Sequence, residues 1–217
     1  MTTSRDLILD RLRSAQPALG TIETIEEQLP VVPLADLSPR GLLNRFVEQA
    51  SLLESVVHLL ATESEAVHVI LGLLGGQRRV LSWALEHIPL PGLEEAFAKY
   101  GIQVAQEQDA TVRVGITGAD AALAATGSLL LLSGEGKPRL ASLLPPVHIA
   151  VIHQRQILAD LETWVATLRQ QELDAFRETA SAMIISGPSR TADIAMQLIL
   201  GMHGPGELHI VILQRNP

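Results

Sequence analysis

Val147-His148-Ile149-Ala150-Val151-Ile152 decides the fold. The run is almost continuously apolar and begins after Pro145-Pro146. A strand that does not alternate between apolar and polar residues is buried on both faces, as in parallel sheets. Beyond it the spacing predicts a helix over 155–169, with Ile157, Leu161, Trp164, Val165 and Leu168 on one face.

Working outward, further strands are expected at 67–71, 102–104, 112–116, 128–132, 183–185 and 208–213. Helices are expected at 4–14, 41–61, 76–86, 92–100, 119–124 and 190–200. Residues 17–40, with Pro17, Pro30, Pro33 and Pro39, read as a surface connector. Strands alternating with helices give an α/β fold: a mostly parallel sheet with helices on both faces, plus N-terminal helices. The expected division is an N-terminal helical segment, 1–62, packed on an α/β domain, 63–217.

The chain has 217 residues, 47% of them hydrophobic, enough for a large core. Sixteen Lys+Arg against 24 Asp+Glu leave a net charge of −8, and aromatics are 3%. That balance argues against nucleic acid as a partner. Cysteine is absent, which excludes disulfides, a thiol nucleophile and a Cys-held iron–sulfur cluster. The short run Leu7-Ile8-Leu9 is neither a leader nor a membrane span, so a cytoplasmic protein without membrane insertion is expected.

Four loops carry the candidate chemistry. Thr126-Gly127-Ser128 precedes a buried strand, and Gly134-Glu135-Gly136-Lys137-Pro138-Arg139 follows it. Lys137 and Arg139 beside a glycine turn suit a phosphate or carboxylate, Arg139 as the main clamp; solvated turn charges are the bland alternative. His148 at a strand start is an acid/base candidate or a histidine satisfied within the core. Gly187-Pro188-Ser189-Arg190-Thr191 would open the 190–200 helix, whose free N–H groups favour an anion; plain capping by Ser189 or Thr191 is the alternative. Gly201-Met202-His203-Gly204-Pro205 precedes the last strand. If that strand lies beside the one ending before Gly187, their carboxyl-end loops share a crevice, and His203 is the candidate catalytic histidine. No GxxxxGK[ST], GxGxxG or HExxH pattern is present, so no cofactor or metal is expected.

Taken in order, Val114-Gly115-Ile116-Thr117 with Ala119-Asp120-Ala121-Ala122, Thr126-Gly127-Ser128, Arg139 to Pro145 with His148, Gly187-Pro188-Ser189 with Thr191-Ala192-Asp193-Ile194, and Gly201 to Pro205 resemble the lactate-utilisation protein C family, whose shared unit is the LUD domain. The resemblance covers about residues 66–214. It implies a fold similar to glucosamine-6-phosphate deaminases, ribose-5-phosphate isomerases and CoA transferases. It also implies an accessory role in oxidising L-lactate to pyruvate beside iron–sulfur partner proteins, with a small anionic ligand. The alternative is a stand-alone enzyme of that fold acting on a phosphorylated sugar, CoA ester or folate. Ala125 stands where the family usually has glutamate, and Ser128 where threonine is commoner, so an acyl-glutamate mechanism lacks its usual carboxyl group, with Glu135 in a nearby loop as the alternative.

Overall fold

The computed structural model describes residues 4–15, 32–170, 179–192 and 198–214. Its helices are α1 (Ser4–Ala15), α2 (Pro39–Leu52), α3 (Glu63–Leu73), α4 (Gly92–Tyr100), α5 (Leu140–Leu143) and α6 (Leu161–Gln170). Its strands are β1 (Val56–Leu60), β2 (Arg79–Ser82), β3 (Gln103–Val104), β4 (Val114–Thr117), β5 (Ala121–Leu123), β6 (Ser128–Ser133), β7 (Val147–His153), β8 (Ile157–Leu158), β9 (Ser181–Ile185), β10 (Arg190–Ala192), β11 (Leu198–Leu200) and β12 (Glu207–Leu213).

Six strands form a wholly parallel sheet in the order β1-β12-β7-β4-β2-β3. At its centre His148–Ile152 and Leu208–Leu213 are buried without alternation, so both faces are covered. Each apolar side chain fully buried there contributes about 1.5–3 kcal/mol. A second sheet, β8-β5-β6-β9, mixes parallel and antiparallel pairs, and β10-β11 form a hairpin. Helix α5 lies on β4 and β7, α2 packs on β1 and β8, and α3 packs on β1 and β12. Leu123, Leu130, Trp164 and Leu168 form a smaller apolar cluster between the second sheet and α6.

Several elements differ from the sequence expectations. Residues 67–71 belong to helix α3 rather than a strand. Thr62 accepts from the Glu65 N–H and the Glu65 carboxylate accepts from the Thr62 N–H, a capping box that starts a helix. The helix expected over 41–61 ends at Leu52; Glu54 turns with φ +65°, and the β-branched Val56-Val57 open β1. A boundary at residue 62 thus falls between a sheet strand and the helix after it. Residues 79–82 are strand, held between β3 and β4. The alanine-rich 119–124 stretch contains β5, because pairing to β6 and β8 outweighs helix propensity. The helix expected from residue 155 begins at Leu161, after β8, with the Asp160 carboxylate accepting from the Thr163 N–H at 2.8 Å. Arg190–Ala192 and Leu198–Leu200 pair as strands instead of starting and ending a helix. The expected connector lies mostly outside the described residues, as do residues 193–197.

Candidate functional site

His148 and Leu208 are register partners on adjacent parallel strands, each the second residue of its strand. Above them α5 brings Ser142 and Leu143, while the end of β9 brings Ile184, Ile185 and Ser186. Two loops close the space. The Ser189 N–H donates to the Pro205 carbonyl at 2.8 Å, and the Gly201 N–H donates to the Ser189 carbonyl at 2.9 Å. The Gly206 N–H fastens this pair to the Pro146 carbonyl at 2.9 Å. The result is a hollow of about 220 Å³ lined by Ser142, His148, Ser186, Ser189 and His203 among apolar neighbours.

His148 is 1% exposed. Its Nε2 lies 2.9 Å from Thr117 Oγ1, two residues along the same sheet face on β4. Burial pushes its pKa down to about 3, so the imidazole is neutral at physiological pH. It can donate or accept one hydrogen bond into the hollow but brings no charge. His203 lies at the exposed rim.

The structure brings together His148, Gly187, Ser189 and His203. It does not bring Arg139 or Lys137 to them. Those two border a separate, broad hollow with Glu107 and Glu135. Lys137 Nζ is 2.7 Å from Asp120 Oδ1 and lies over the Trp83 ring, so it is already engaged. Arg139 is exposed at the head of α5, whereas Ser142 and Leu143 at its other end face the His148 hollow. Thr126 donates to Ser128, whose buried hydroxyl is 2.7 Å from Ser186 Oγ, so this trio supports the hollow from behind. Gly127 packs against the backbone of α2 at φ +68°, and Gly187 packs against Leu53 at φ +82°. Thr191 lies in β10 opposite Ile199, not at a helix start, so the expected helix-terminal anion site is absent there.

The expected crevice is also built differently. β9 and β12 belong to different sheets, and the hollow borders the amino ends of β7 and β12, not the carboxyl ends. The two loops meet because their backbones bond to each other. Ser142 and Ser186 head the candidate loops Ser142–His148 and Ser186–Ile194, but the sequence does not single out their hydroxyls, nor pair Thr117 with His148. His58, expected on the face of the 41–61 helix, lies instead on β1, with its Nε2 3.2 Å from His209 Nδ1. Burial, then the nearby His209 charge, lowers the His58 pKa.

The family model for the LUD domain matches residues 43–213. The chain belongs to the LUD domain family. Over 92 residues it is 41% identical to a protein named Lactate utilization protein C from Halalkalibacterium halodurans, covering 42% of this chain and 40% of that one. Over 134 residues it is 32% identical to a protein of the same name from a Geobacillus species, covering 61% and 54%. These matches span about half the length of those relatives. The LUD fold is also seen in the crystal structure of a DUF162 family protein from Deinococcus radiodurans, with TM-score 0.62 and 23% identity, covering 82% of this chain and 99% of that one. Among the described residues of this LUD chain, no helix is long and apolar enough to cross a membrane, and no group of three or more His, Asp or Glu is placed to hold a metal.

Proposed function

We propose that this LUD protein is an accessory protein of L-lactate utilisation, acting in the cytoplasm beside iron–sulfur partners during oxidation of lactate to pyruvate. The supporting observation is the similarity, within the LUD region, to two proteins named Lactate utilization protein C. A chain without cysteine holds no thiolate-ligated cluster, so cluster-borne electron transfer falls to the partners. The His148 hollow is the site through which the protein contributes, because it gathers the polar groups of three segments distant in sequence.

The test is deletion of the gene and growth on L-lactate as sole carbon source. The reading predicts loss of growth on lactate with normal growth on glucose, restored by the wild-type chain. Unimpaired growth on lactate contradicts it.

A further inference from the structure

The hollow between α5, β9 and the Gly201–Pro205 loop sets serine hydroxyls and histidines among apolar side chains. Among the described residues no Lys, Arg, Asp or Glu lines it. The neighbouring charges are occupied elsewhere. Arg190, adjacent to Ser189, donates to the Leu53 carbonyl at 2.7 Å and pairs with Glu54 at 3.3 Å. Glu207, adjacent to Leu208, is 3.5 Å from His209 Nε2 on the other face of the sheet. Bringing a carboxylate or phosphate against buried, neutral His148 would strip its water with no Lys or Arg to pair it.

Size and rim narrow the ligand further. Small-molecule pockets usually measure about 300–1,000 Å³, so about 220 Å³ admits a head group or a small ring rather than a large ligand. Leu143 and Ile184 border the hollow yet are 40% and 54% exposed, and Met202 beside His203 is 54% exposed. An apolar body resting on these side chains would remove them from water, while its oxygens meet Ser186, Ser189 and His148.

We infer that this hollow binds an uncharged carbonyl compound with an apolar body, of quinone or lactone chemistry, and not a small anion. Serine hydroxyls donate to its carbonyl oxygens, and the rim packs against its ring.

Titration calorimetry of the full chain with menadione, coumarin, pyruvate and inorganic phosphate tests this directly. Without cysteine the protein forms no thiol adduct with menadione. Menadione identifies the quinone source and coumarin the lactone source; saturable binding of either, tighter than both anions, is expected. Ile184→Glu should weaken that binding at least tenfold without shifting the melting temperature. Leu143→Lys, which adds a cation at the rim, should let pyruvate bind. Tighter binding of pyruvate or phosphate to the wild type overturns the inference, as does binding of neither uncharged probe. Equal affinity in Ile184→Glu and wild type overturns the assignment to this hollow. The calorimetry is independent of the growth phenotype, so either result can fail without the other.

Discussion

Thr117 Oγ1 and His148 Nε2 lie 2.9 Å apart on neighbouring parallel strands, both buried beneath the hollow. This pairing fixes the ring on the floor of the site, and burial keeps it neutral. Its folded-state pKa of about 3 lies below the ordinary value of 6.5. Between those values the unfolded chain binds the extra proton. Stability from this residue is therefore complete above about pH 6.5 and declines as pH falls toward 3, by about 1.4 kcal/mol per pH unit. Urea unfolding at pH 7 and pH 5 should show a loss that His148→Gln reduces by about 2 kcal/mol. An identical pH dependence in the two proteins would remove His148 as its source.

Gly127 and Gly187 hold positive φ values where an added Cβ would strike the α2 backbone and the Leu53 carbonyl, respectively. Either glycine changed to alanine should cost at least about 2 kcal/mol, combining backbone strain with displacement of a packed segment. Chemical denaturation measures it; a cost below about 0.5 kcal/mol would mean that the loops relax freely.

Lys137 and Asp120 form a partly buried pair, and the Asp120 carboxylate also accepts from the Leu132 N–H at 2.7 Å. Lys137→Met should lower stability by about 1–2 kcal/mol, between the values for exposed and buried pairs. Ligand affinity at the His148 hollow should not change, because Lys137 borders another face of the loop. A selective loss of affinity with unaltered stability would return Lys137 to the binding site.

The centre of the sheet is legible because Ile149–Ile152 of β7 and Ile210–Leu213 of β12 are unbroken apolar runs, as two-sided burial requires. Residues 67–71 carry a similar run but form a helix, since four apolar residues around His68 do not distinguish strand from helix. The deciding signal, Thr62 and Glu65, stood just outside the run. Ala121–Leu123 shows the converse, an alanine-rich stretch made strand by partners distant in sequence. At the site, Ser189 and His203 were readable from their glycine-rich loops. The separation of Arg139 from them was not, because it depends on which end of the four-residue α5 faces the hollow. His148 stood out as a histidine, but its Thr117 partner is 31 residues away and is set only by strand register.

The most direct test of the account joins the hollow to lactate oxidation. His203→Ala and Ser189→Ala remove polar side chains from the hollow while leaving the backbone bonds of both loops in place. Returned together to the deletion strain as one double variant, with its melting temperature verified, they should fail to restore growth on L-lactate while growth on glucose stays normal. Full restoration of lactate growth by the double variant would contradict the claim that this hollow serves the pathway.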